Sequence, residues 1–348
     1  MRRELRLIIR RFADRSAALI DLAAIFMIVL ALVAMDRVHA ADSNLLLLEA
    51  KIPLGQVKGR IDHLGVNAAR QRLYVAELGN DSVGVIDLKD RKTLRTITGL
   101  REPQGIGYVP SSDTLYVANA GDGSVRLFQG AALTPVERIA LGADADNVRV
   151  DDAAHRVFVG YGNGALAVID TTSRTKIADV PLKAHPESFQ LERTGRRIFV
   201  NVPDAQEIAV VDRSTNRQVA SWATSGLRAN FPLALDEPSG HVIAVFRHPA
   251  RVAVFSAQDG RLLNAFDTGG DSDDAFVDSK RRRVYVSCGE GFADVFAAQG
   301  DGYVKVGHVA TAAGARTALF VPAIDRFLLA VRARASEPAA IWVFRPLP

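Results

Sequence analysis

Arg72-Leu73-Tyr74-Val75-Ala76 (RLYVA) decides the fold, because it returns six more times in altered form. The copies are TLYVA (114–118), RVFVG (156–160), RIFVN (197–201), VIAVF (242–246), RVYVS (283–287) and RFLLA (326–330). Their third positions are Tyr74, Tyr116, Phe158, Phe199, Ala244, Tyr285 and Leu328, which gives steps of 42, 42, 41, 45, 41 and 43 residues. Four short strands and their turns need about that length, so each copy reads as one blade of an all-β, seven-bladed propeller. Turn signals such as Gly79-Asn80-Asp81 separate runs of Val, Ile, Tyr and Phe of strand length.

The last blade is one strand short. Ile341–Phe344 makes a third strand and the sequence stops at Pro348, whereas LLLLEAKIP (45–53) precedes the first blade and resembles the fourth strands. The economical arrangement closes the ring with this N-terminal strand completing blade 7, which leaves no open sheet edge at the joint.

The tyrosine-valine core of the repeats, with third strands such as VGVIDL (83–88) and LAVID (166–170), resembles the YVTN-repeat β-propeller family. Phe128-Gln129, Phe255-Ser256 and Phe296-Ala297 depart from the Val/Ile-Asp ending. The resemblance covers nearly all of the chain beyond residue 40 and implies a fold rather than one activity. Similar propellers include lactonases, cofactor-carrying oxidoreductase domains and proteins without known chemistry.

A sequence pI near 9.3 invites a nucleic-acid reading. Of 43 basic and 39 acidic residues, however, seven and four lie in residues 1–40, leaving 36 and 35 in the body. A nearly neutral body has no electrostatic footprint for phosphate backbones. The basic segment MRRELRLIIRRFADR is followed by an apolar run over 17–35 and by Val38-His39-Ala40, the three-part form of an export signal cleaved after Ala40. If uncleaved, the run 17–35 would anchor a periplasmic propeller to the inner membrane, the sole membrane contact expected. Arg10-Arg11 has the pair of a twin-arginine signal, but Ala13-Asp14 continues it poorly. With residues 1–40 as leader, 41–348 forms the propeller. The single cysteine, Cys288, excludes an internal disulfide framework.

Function is expected on the loops that enter the inner strands. These are unusually polar: Arg60, Asp62 and His63; Gln104; Asp144, Asp146 and Asn147; His185, Glu187 and Ser188; Asn230; Asp271, Asp273 and Asp274; Arg316 and Thr317. The loops between second and third strands add Glu77, Asn119, Tyr161, Arg247 and Glu290. Asp62, His63, Gln104, Asp146, Asn147, Glu187, Asn230, Asp273, Asp274 and Arg316 are the expected ligand-binding set. Asp87, Asp170 and Asp212 close third strands and read as turn formers.

Carboxylates at 62, 146, 187 and 273 would suit a divalent cation such as calcium, yet no compact ligand motif accompanies them. His63 and His185 lie three blades apart, almost opposite each other, which argues against a shared zinc. No Gly-x-Ser-x-Gly elbow is present, Cys288 reads as a buried hydrophobe, and no Cys-x-x-Cys-His supports covalent haem. The expectation is a propeller that binds a small polar ligand or a periplasmic protein. The alternative is a lactonase-like, metal-assisted hydrolase with Glu187, Asp273 or His63 as base.

Overall fold

The computed structural model describes residues 45–300, 302–335 and 337–348. The expected leader, its apolar run 17–35 and the cleavage position lie outside them. The described residues form seven four-stranded antiparallel sheets. The inner strands are Leu64–Asn67, Pro103–Val109, Ala145–Asp151, Phe189–Leu191, Arg228–Asp236, Ser272–Asp278 and Ala318–Val321, and each lies beside the next around a closed ring.

Blade 7 takes strands from both ends of the chain. Leu46–Pro53 pairs antiparallel with Ala340–Pro346, as the sequence predicts. A recurring irregularity proves this strand equivalent to the other fourth strands. Each of those carries one extra residue opposite its third strand, for example Leu94 in blade 1 and Ile177 in blade 3. The N-terminal strand carries its extra residue, Glu49, at the same register. Where Leu94 and Ile177 are exposed, Glu49 accepts Arg326 Nε at 2.8 Å and Arg345 Nε at 2.7 Å. The joint is thus tied by charge as well as by the ladder.

The repeat packs because successive strand residues point to opposite faces. Leu73 and Val75 enter the seam with blade 7, and Tyr74 and Ala76 enter the seam with blade 2. Leu115 and Val117 meet the latter from blade 2, while Tyr116 and Ala118 serve the next seam. Between blades 6 and 7, the Tyr285 ring stands 5.5 Å from Phe320 and 5.6 Å from Phe327. The core is a set of such seams around a channel. Asp87, Asp170 and Asp212 do close third strands, accepting backbone N–H groups from Asp90, Ser173 and Ser214.

Blade 5 corrects the repeat alignment. His241 pairs with Asp236 as Arg72 pairs with Asn67, so the third position is Ile243 rather than Ala244. The steps around it become 44 and 42, not 45 and 41. Packing agrees: Val242 and Ala244 face blade 4, and Ile243 and Val245 face blade 6. A histidine in the arginine position conceals the register, because five apolar residues in a row carry no alternation to read.

Candidate functional site

Register places the site. Val66, Tyr108, Val150, Leu191, Leu235, Val277 and Phe320 each pair with the second residue of a repeat. Four places earlier in each blade stand Asp62, Gln104, Asp146, Glu187, Phe231, Asp273 and Arg316. All seven line one cavity of about 380 Å³ at the channel mouth, joined by Arg60, His63, Asp144, Asn147, His185, Ser188 and Arg247. The entries crowd closely enough to dictate a glycine: a Cβ on Gly105 would stand 2.0 Å from the Asp146 carbonyl oxygen.

The cavity has two walls. On the side of blades 5 to 7, Arg247 Nη2 donates to Asp273 at 2.7 Å and its Nε to the Ser272 carbonyl at 2.9 Å. Its guanidinium lies 4.0 Å over the Phe231 ring, and Arg316 pairs with both Asp271 and Asp273. Across the mouth, Asp146 stands between two imidazoles, 3.7 Å from His63 Nε2 and 4.0 Å from His185 Nε2. His63 and His185 therefore share one carboxylate. Although three blades apart, they reach inward across a narrow channel instead of facing each other over an open one. His185 Nδ1 is fixed at 2.6 Å from the Gly162 carbonyl oxygen.

Burial and charge set the protonation pattern. Burial pushes the Glu187 carboxyl up to about 8, helped by the charge on Asp146 and opposed by His185. It raises Asp62 to about 6 against His63 and Arg60, and Asp274 to about 7 against His63. Burial disfavours charge on His63, but Asp62, Asp274 and Asp146 overcome it and hold the imidazole up at about 9. His185 reaches about 9 through Asp146, the Gly162 carbonyl and Asp144, again against burial. Asp146 is held below its ordinary value despite burial, by His185 and His63. At neutral pH the mouth thus holds an ionised Asp146, two imidazolium rings and a protonated Glu187.

Two expected site residues stand elsewhere. Asn230 is fully buried behind the wall and donates to Asn201 Oδ1 at 3.0 Å and the Glu207 carbonyl at 3.1 Å. Its neighbour Phe231, an apolar residue among polar entries, is the one that lines the cavity. Asp274 lies below His63, 3.8 Å from Nδ1, and accepts the Ala318 N–H at 2.9 Å. It faces a second cavity of about 330 Å³ along the channel, where Arg149 also stands. Glu77 and Asn119 are structural: Glu77 accepts Ser82 Oγ at 2.6 Å, and Asn119 donates to the Val117 carbonyl at 3.0 Å. Arg332, missed in the sequence, occupies in blade 7 the repeat position of Arg247. Burial, then Arg316 and Arg60, lower its pKa.

The donor set does not fit a divalent cation. Among the described residues no three His, Cys, Asp or Glu side chains are grouped so as to hold a metal. Asp62 is already engaged by Arg60 at 2.8 Å, and Asp273 by Arg247 and Arg316. Nor is a nucleophile poised here. Cys288 is buried away from the cavity, and burial pushes its thiol up to about 12.

No model of a known protein family and no curated protein matches the chain. Solved structures do resemble it. A hydrazine synthase chain from Kuenenia stuttgartiensis superposes with a TM-score of 0.69 at 14% identity, covering 84% of this chain and 96% of that one. A chain of a mitotic checkpoint complex superposes with a TM-score of 0.73 at 13% identity, covering 86% and 92%. At such identities the likeness is one of fold. The chain is a seven-bladed β-propeller.

Proposed function

We propose that this propeller is of the YVTN-repeat kind, is exported, and binds a small polar ligand at the channel mouth without transforming it. One observation carries the reading: seven register-equivalent residues of seven different blades meet in one cavity. Six of the seven are polar, and buried oxygens of the neighbouring Asp146 and Asn147 have no hydrogen-bond partner. Buried polar atoms without partners are costly, and a ligand would relieve that cost.

The hydrolase alternative gains no support: of the four carboxylates that would bind its cation, Asp62 and Asp273 are ion-paired with arginine, Asp146 lies between two imidazoles, and burial favours the protonated form of Glu187. Thermal unfolding of purified protein against a panel of small polar compounds tests binding. A compound that raises the melting temperature of the wild type but not of Asp146→Asn supports the reading. A panel that leaves the wild type unmoved, with a protein partner captured at this face instead, would replace the ligand by a protein. Export is tested by fusing residues 1–60 to a reporter active only outside the cytoplasm; activity is expected, and an inactive, cytoplasmic fusion would refute it.

A further inference from the structure

The kind of ligand follows from how the mouth balances its charges and which valences it leaves open. Five bases line the cavity with four ionised acids and the protonated Glu187; Asp271, paired with Arg316, adds a fifth charged carboxylate, so each cation is set against a carboxylate. A cationic ligand would compete with Arg247, Arg316 and the two imidazoles for the same carboxylates. An anionic ligand would meet Asp146 and would have to draw the arginines away from Asp62 and Asp273. Each exchange breaks a buried pair, which is costly.

What the mouth lacks is hydrogen-bond partners rather than charge. Asp146 Oδ1 and Asn147 Oδ1 are buried acceptors without a donor, on residues 6% and 1% exposed. Arg316 Nε is a buried donor without an acceptor: it stands 3.2 Å from Asp273 Oδ2 but is not aligned for a hydrogen bond. Gln104 adds an amide that no described residue holds, and Phe231 supplies the one aromatic carbocycle.

We infer that the mouth takes an uncharged, polyhydroxylated ligand of monosaccharide size. Each hydroxyl both donates and accepts, so such a molecule satisfies Asp146, Asn147 and Arg316 together without disturbing an ion pair. The cavity volume lies within the usual range of small-molecule sites.

This inference rests on the pocket reading above, and the test separates the two. Isothermal titration calorimetry of the purified full chain would use D-glucose, D-galactose and myo-inositol, with spermidine and citrate as charged comparators. At least one neutral probe is expected to bind, with affinity reduced about tenfold, or about 1.4 kcal/mol, by Asn147→Ala and by Gln104→Ala. Gln104→Ala spares the fold, since the side chain has no partner to lose. Binding of spermidine or citrate alone, weakened by Asp146→Asn, would overturn neutrality and leave the pocket standing. A neutral probe bound equally by wild type and both variants would place sugar elsewhere and overturn the inference. No binding by any probe would overturn it too, and a wild type also unmoved by the thermal panel would remove the pocket reading with it.

Discussion

The seams between blades and the channel mouth are built from the same repeats, yet they obey opposite rules. In the seams, every blade repeats the same solution: apolar residues at alternate positions, packed without exposure. At the mouth, the same position carries Asp in three blades and Gln, Glu, Phe and Arg in the other four, and several polar atoms go unpartnered. Packing constrains the seam positions because a lost methylene leaves a void. The mouth position lies outside the seams, so its side chain is free to carry chemistry. Stability belongs to what repeats, and specificity to what does not.

The contrast breaks most visibly at the ring joint. Deleting residues 41–54 removes the fourth strand of blade 7 together with buried Leu46, Ile52 and Leu54. At about 1.5–3 kcal/mol for each large side chain, this approaches the whole stability of an ordinary domain. A fall in melting temperature of more than about 10 °C is expected, and an unchanged curve would show that the ring closes otherwise. A seam substitution comes next. Ile198→Ala should cost about 2–5 kcal/mol in urea unfolding. Glu187→Gln at the mouth should stay within about 0.5 kcal/mol at pH 7, because glutamine mimics the protonated acid. Equal costs for the two would erase the distinction between seam and mouth.

A third expectation is that pH acts on the mouth and spares the seams. Glu187, Asp62, Asp274, His63 and His185 all have folded pKa values above their ordinary ones. The folded state therefore binds more protons than the unfolded state, and stability falls as pH rises. For the acids the loss begins near their ordinary values and runs up to about 8, and for the histidines it runs up to about 9. Asp146 acts oppositely, but only in acid below the ordinary aspartate range. The melting temperature should be lower at pH 9.5 than at pH 6. Glu187→Gln should narrow that difference, whereas Ile198→Ala should lower both values alike. Differential scanning calorimetry at the two pH values reads this directly. Among the destabilising substitutions the smaller cost is expected from Glu49→Ala, which removes two charge-assisted hydrogen bonds at a partly exposed joint, about 1–2 kcal/mol by urea unfolding.

The fold was legible because seam positions recur in chemical type as well as in spacing. The N-terminal closing strand was legible because one blade lacked a member. The mouth was legible only in part, since its positions recur in register but only partly in type, with Asp in three blades of seven. Asp62, Gln104, Asp146, Glu187, Asp273 and Arg316 stood out as polar strand entries. Phe231 did not, because a phenylalanine before a strand looks like core, and the polar neighbour Asn230 drew the expectation instead. The pairing of His63 and His185 around Asp146 was beyond reach, since blade number gives angle around the ring and not the width of the channel.

The central claim is that residues from separate blades meet as one electrically coupled site. NMR titration of the His63 and His185 side chains in wild type and in Asp146→Asn tests it most directly. Both imidazoles should titrate near pH 9 in the wild type, and both midpoints should fall in the variant, although Asp146 belongs to neither residue's blade. Ordinary imidazole midpoints that ignore the Asp146 substitution would contradict the account.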